Sequence, residues 1–312
     1  MEEDDSMETI CSFENGDRVE RADRALIAHF AGPRRVLSTS PVNGGMREDL
    51  AYVFNRDCKP ETLSPEYRDR SYAALAVLAA EALGLEPSRA AGILTAAQME
   101  NAAIHTLPHE ALSVTAIVTG GIDRNANRAG DPASWEERPE GFRPLPGTIN
   151  ILLFVNACLT PGAMTQALIT CTEAKTVAVQ ELLTPSRYSQ GLATGSGTDG
   201  AILVCDPGAP LHLTDAGKHG KLGEMLARCV IDATKEALYR QTGQCARSQH
   251  TTVARLDRFG LRAAREDVPA AALLAHLLDE LRWGTLEEAE CRAALQDLSR
   301  RLGIEPEEFG TC

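Results

Sequence analysis

Residues 191–200, GLATGSGTDG, set three hydroxyl side chains and a carboxylate among glycines: Thr194, Ser196, Thr198 and Asp199 are interleaved with Gly195, Gly197 and Gly200. Bare glycine backbone lets N–H groups approach a ligand closely, and convergent N–H donors suit an anion or a developing oxyanion. A hydroxyl becomes a nucleophile when a neighbouring base takes its proton, and Asp199 lies beside Thr198 and three residues from Ser196. The glycine spacing also matches a dinucleotide-binding fingerprint. That fingerprint follows a strand and opens a helix, whereas this run follows a helical pattern and leads into a strand. A tight structural turn is the competing explanation.

His219 stands in Gly217-Lys218-His219-Gly220-Lys221 where a long helix begins. A positive helix end and two lysines favour neutral imidazole at pH 7, the form that acts as a general base; an exposed residue at a helix start is the plainer alternative. In Thr172-Glu173-Ala174-Lys175, Glu173 and Lys175 lie about 200° apart around a helix, so at most one faces a given pocket. His105 and His109, next to Glu110, have the spacing of two metal ligands on a helix, but Pro108 opposes a helix there. Asn101, Asn125 and Asn127 fall at element ends, where asparagine binds amide groups or, more often, serves the local backbone.

The elements that must position these groups follow from periodicity and turn signals. Residues 24–37 alternate weakly before the Asn43-Gly44-Gly45 turn, and residues 67–83 read as a helix ending at Gly84. Residues 112–119 form a buried strand expected to end in a sharp turn at Gly120-Gly121, and residues 124–146 form an exposed excursion. Residues 148–155, TINILLFV, are a buried strand. Thr160-Pro161 then supplies a helix cap with proline in the first turn. Ala163, Ala167, Cys171, Ala174, Ala178 and Leu182 recur at helical intervals on one buried face. After the glycine-rich loop comes a strand over residues 201–205. Next is a helix capped by Thr214 or Asp215, with Leu222, Leu226, Cys229, Ala233 and Ala237 on its apolar face, closed by Gly243. Two further amphipathic helices are expected over residues 267–302.

The chain has 312 residues, of which 44% are hydrophobic, enough for a large core. Its net charge of −13 and 4% aromatic content argue against phosphate backbones, anionic membranes and base stacking. Nine cysteines, an odd number with no pair two to four residues apart, argue against a disulfide framework or zinc knuckle. The acidic start and the lack of a long apolar run predict a reduced, cytoplasmic protein.

Seven blocks occur in order: PRRVLSTSPVNGG (33–45), ILTAAQMENAA (93–103), VTGGIDRNANRAGD (118–131), GTINILL (147–153), TEAKTVAVQEL (172–182), ATGSGTD (193–199) and DAGKHGKLGE (215–224). Together they resemble the adenosylcobinamide amidohydrolase family over roughly residues 24–243. Ser196 replaces an expected threonine, and Gly220 replaces an expected small hydroxyl residue. The resemblance implies hydrolysis of the amide joining aminopropanol to the corrin ring, giving adenosylcobyric acid for coenzyme B12 synthesis. A fainter resemblance, carried by Gly147-Thr148-Ile149, the long helix and the Gly/Ser-rich loop, is to self-processing aminopeptidases with helix-sheet-sheet-helix folds.

The expectation is a mixed α/β, layered helix-sheet sandwich of αββα type with helical C-terminal packing. It divides into an acidic tail (1–22), an amidohydrolase domain (23–260) and a helical extension (261–312). Candidate catalytic residues are His219, Asp199, Thr198 and Ser196, with His219 as general base and acid and Asp199 orienting it or the substrate. Candidate substrate-binding residues are Thr194, Gly195, Gly197, Glu173, Lys175, Asn43, Asn101 and Asn150. No metal or other cofactor bound by protein ligands is expected, since the cobalt arrives within the corrin. The expected partner is a small-molecule corrinoid, with a homo-oligomer left open and no nucleic acid or membrane.

Overall fold

The computed structural model describes residues 7–22, 24–58, 71–133 and 148–245, together with residues 277, 288, 289, 292, 293, 296 and 300. In chain order the strands begin with β1 (Glu8–Ser12), β2 (Arg18–Ala22), β3 (Ala25–His29), β4 (Arg35–Ser38), β5 (Gly45–Arg47) and β6 (Tyr52–Asp57). Helix α1 (Tyr72–Ala82) follows, then β7 (Ala90–Thr95), β8 (Ala103–His109), β9 (Leu112–Gly121) and the short β10 (Ala126–Asn127). Next come β11 (Thr148–Val155), β12 (Cys158–Leu159) and α2 (Pro161–Glu181). The last are β13 (Gly195–Ser196), β14 (Gly200–Cys205), β15 (His212–Leu213) and α3 (Lys221–Thr242).

Two sheets dominate, one ordered β1-β2-β3-β6-β7 and the other β5-β4-β14-β11-β9-β8. Strand side chains alternate between faces, and here both faces are buried. Along β11, Ile149, Ile151, Leu153 and Val155 pack with α2 and α3, while Leu152 and Phe154 join Val53 and Ile93 of the other sheet. This burial is why the strand reads as a continuous apolar run. The outer face of the five-stranded sheet packs Ile27, Phe54 and Leu94 against Leu75, Ala76 and Ala79 of α1. The result is a mixed α/β fold, as the sequence predicts, in four layers, α/β/β/α, the order that the fainter resemblance implies.

Local signals set several boundaries. Thr160 accepts a hydrogen bond from the Ala163 N–H at 3.2 Å, with proline in the first turn, and Ala163, Ala167, Cys171, Ala174, Ala178 and Leu182 are all buried. Gly243 closes α3 at φ 69°, a left-handed conformation that glycine adopts at little cost.

Other boundaries differ from expectation. Residues 8–22, within the expected acidic tail, form the paired strands β1 and β2. Gly120 and Gly121 do not turn. They continue β9 and pair with Ile149 and Thr148, and a Cβ at Gly120 would lie 3.1 Å from Leu238 and one at Gly121 3.3 Å from Gln241. The glycines admit α3 against the sheet. That helix starts at Lys221 with Gly220 as its cap, later than Thr214 or Asp215. Asp215 instead accepts the Gly217 N–H at 3.3 Å, ordering the turn ahead of the helix.

His105 and His109 lie on β8, where four residues span roughly 13 Å, and His105 is paired with Glu236. Residues 67–70 of the expected first helix, 134–146 of the excursion and most of the two C-terminal helices lie outside the described residues. Those described beyond residue 245 are helical, and Leu277 is fully buried.

The seven cysteines among the described residues are free thiols. Burial pushes Cys171 up to about 12 and Cys58, Cys205 and Cys229 up to about 11. Since thiolate is the reactive form, these four are expected to resist iodoacetamide at pH 8 in the folded protein and react after denaturation. Peptide mass mapping checks this, and alkylated Cys171 in folded protein contradicts it.

Candidate functional site

The site forms where the turn ahead of β14 meets the buried flank of α2. Asp199 pairs with Lys175, and the two side chains are only 13% and 11% exposed. Its Oδ1 accepts the Ile149 N–H at 3.0 Å and the Ser196 hydroxyl at 2.6 Å, and the Ser196 N–H reaches both oxygens at 3.0–3.1 Å. A carboxylate removed from water needs such donors and a counter-charge. Gly195 permits the packing, because a Cβ there would collide with Asp199 Oδ2 and Lys175 Nζ.

The turn is pinned around this ion pair. Thr148 donates to the Thr198 carbonyl at 2.6 Å, and Thr176 donates to the Thr194 carbonyl at 3.1 Å. The Thr194 N–H binds the Asn127 carbonyl at 2.9 Å, and its hydroxyl accepts the Ala129 N–H at 2.9 Å. Strands β10 and β13 pair Ala126 with Ser196 and Asn127 with Gly195. Gly197 is the open point, with no atom within 4 Å of where a Cβ would stand. Ser196 is partly exposed. A largely buried carboxylate in contact with a reachable hydroxyl, with an ammonium on its other oxygen, is suited to moving the hydroxyl proton while compensating charge.

The remaining candidates are distributed as follows. Glu173 is exposed and pairs with Lys218, so of Glu173 and Lys175 only the lysine enters the Asp199 cluster. His219 is exposed and, among the described residues, makes no hydrogen bond or ion pair. Its turn docks on α2 through Ala216, which meets Gln166 and Thr170, and through Lys218, which meets Glu173. At about 100° per residue, Lys175 lies roughly 140–200° around the helix from those three positions. The two clusters therefore occupy opposite flanks of α2; Asp199 was expected to orient His219 or the substrate, and of these the His219 pairing is not formed, Asp199 being held by Lys175 and Ser196.

Asn43 has φ 54° and donates to the carbonyls of Pro87 and Ala90 at 2.7 and 2.8 Å, which makes it a bracing residue of its turn. Asn101 is tied to Gln98 and Gln241 at 3.2 and 3.0 Å, beside the end of α3. Asn150 is fully buried beneath the site and donates to Asn55 Oδ1 at 2.8 Å and the Leu94 carbonyl at 3.0 Å.

Asn55, Thr119 and Thr148 were absent from the candidates. The available signal was a polar residue at a core position of a strand, since buried polar groups persist where partners await them. Among the described residues, no group of three or more His, Cys, Asp or Glu side chains is arranged to hold a metal ion.

Among known proteins, the chain is 34% identical over 230 residues to an uncharacterized protein of Methanocaldococcus jannaschii, covering 70% of this chain and 87% of that one. It is 29% identical over 226 residues to an adenosylcobinamide amidohydrolase of Methanosarcina mazei, covering 69% and 94%. Among solved structures, it is similar to a protein of Pyrococcus horikoshii (TM-score 0.35, 11% identity, 76% of this chain and 80% of that one). A Burkholderia beta-aminopeptidase is also similar (TM-score 0.33, 14% identity, 74% and 81%). At those scores the structural likenesses carry no functional argument. The sequence model of the adenosylcobinamide amidohydrolases matches residues 10–246, and the chain belongs to that family of amide hydrolases.

Proposed function

We propose that this protein hydrolyses the amide between aminopropanol and the corrin ring of adenosylcobinamide, releasing adenosylcobyric acid in the cytoplasmic salvage of incomplete corrinoids. Family membership supports the reaction class. The observation that carries the site is the Asp199 carboxylate, held between the Ser196 hydroxyl and the Lys175 ammonium. No described helix is long and apolar enough to cross a membrane.

In this reading the Ser196 oxygen attacks the amide carbon as its proton passes to Asp199. Backbone N–H groups of the glycine-rich turn receive the oxyanion, and Lys175 offsets the added negative charge. Collapse breaks the C–N bond, and the proton held at Asp199 leaves with the amine. Water then attacks the Ser196 ester, one of its protons passing through Asp199 to the departing Ser196 oxygen and the other released to solvent as the acid ionises, which gives the corrin carboxylate and restores the Ser196 hydroxyl. Two proton transfers through one carboxylate account for both half-reactions.

Mass spectrometry of adenosylcobinamide incubated with the purified protein tests the proposal. Adenosylcobyric acid and free aminopropanol in equal amounts are expected. Tight binding without turnover would show a corrinoid-binding protein instead. The chemistry requires no protein-bound cofactor, because cobalt enters with the substrate, so exhaustive chelation is expected to leave the rate unchanged. Loss of activity on chelation and its return with zinc would refute that.

A further inference from the structure

Among the apolar side chains between the two sheets lies a chain of buried polar groups beneath the catalytic turn. Thr119, Asn150 and Thr148 belong to the six-stranded sheet, and Asn55 reaches them from β6 of the other; each is at most 2% exposed. Asn55 donates to Thr119 Oγ1 at 2.7 Å and accepts from Asn150 Nδ2 at 2.8 Å. The second Asn150 N–H is held by the Leu94 carbonyl of β7 at 3.0 Å. With both N–H groups fixed, Asn150 Oδ1 faces Gly200, where an added Cβ would lie 2.9 Å away. Gly200 follows Asp199, and Thr148, two residues before Asn150 on β11, holds the carbonyl of Thr198.

A buried polar chain contributes less stability than well-packed apolar side chains of the same volume would. In an interior of Val, Ile, Leu and Phe its effect is geometric, because hydrogen bonds fix position and orientation where apolar contacts allow sliding. We infer that Asn55 is a positioning residue for the reaction, its side-chain amide reaching across from the second sheet to Asn150 beneath the catalytic turn. By fixing Asn150 it sets where β11 and Gly200 sit, and hence where Ser196 and Asp199 stand relative to the substrate. The inference rests on the proposed catalytic role of that turn.

The test compares Asn55→Leu, which removes the acceptor while keeping the branched side-chain skeleton, with Asn55→Asp, whose carboxyl burial keeps protonated, so that its carbonyl accepts from Asn150 and its hydroxyl donates to Thr119. With adenosylcobinamide, Asn55→Leu is expected to lower kcat by on the order of 10- to 100-fold. KM is expected to stay within about twofold, the signature of an interaction that matters to the transition state alone. Asn55→Asp is expected to recover most of the loss. Hydrogen exchange supplies a reading that needs no turnover: peptides covering residues 195–200 are expected to exchange faster in Asn55→Leu and at the wild-type rate in Asn55→Asp.

Unchanged kcat in Asn55→Leu, a loss confined to KM, or equal impairment in both variants overturns the inference, as does unchanged exchange. If Asn55→Leu does not fold, Thr119→Val probes the same chain, and unaltered exchange over residues 195–200 then overturns it. A wild-type protein inert toward adenosylcobinamide refutes the proposed reaction, while the exchange comparison still decides whether Asn55 positions the turn.

Discussion

Asp199→Asn lowers kcat for adenosylcobinamide by on the order of 100-fold or more, the usual contribution of a positioned general base. The substitution is nearly isosteric, and an amide oxygen still accepts the N–H groups of Ile149 and Ser196 that now reach the carboxylate at 3.0–3.1 Å. What disappears is the capacity to take the Ser196 proton and the charge facing Lys175. Ser196→Ala is expected to match it, because residues acting as one unit lose nearly everything when either is removed. His219→Ala is expected to cost less than about tenfold, since His219 lies on the other flank of α2 and outside the Asp199 network. Steady-state kinetics on folded variants decides the matter. An Asp199→Asn enzyme within tenfold of wild type removes the carboxylate from the mechanism, and a hundredfold loss in His219→Ala would make the imidazole the base.

Lys175→Met produces the largest change in stability. The ammonium and its carboxylate are both nearly excluded from water, and removing one member of a buried pair leaves an uncompensated charge at a cost of about 3–5 kcal/mol. Against a total of roughly 5–15 kcal/mol for an ordinary domain, urea-induced unfolding reads such a loss as a large drop in the midpoint. The double variant Lys175→Met/Asp199→Asn is expected to recover a substantial part of it, because a neutral pair has no stranded charge. It stays inactive. A Lys175→Met protein within about 1 kcal/mol of wild type would mean that Asp199 is solvated in a way its burial does not suggest.

Much of the frame was readable one segment at a time. The cap at Thr160-Pro161, the alanine-rich face of α2, the apolar run of β11 and the glycine closing α3 are each encoded by residues within a turn or two of one another. Local sterics and local hydrogen bonds suffice to form them. The chemical character of the glycine-rich turn was equally plain, since Ser196, Thr198 and Asp199 are neighbours in sequence.

Partnership was not readable in that way. Lys175 and Asp199 are 24 residues apart, and Asn55 and Asn150 are 95 apart. Their meeting depends on which strands pair and how the sheets stack, and those choices are made by burial across the whole core. The same physics paired Gly120-Gly121, an expected turn, with Ile149 and Thr148 as the end of β9, where the missing side chains let α3 approach closely. It also placed α2 between Asp199 and the turn carrying His219. By itself the sequence determined most of the elements and the hydroxyl and carboxylate character of the glycine-rich turn, which depend on neighbours along the chain, whereas the layer order and the reaction class were implied by resemblance to known families. Only the tertiary structure decided which of those residues face one another, because a shared pocket is a property of packed surfaces that chain spacing does not record.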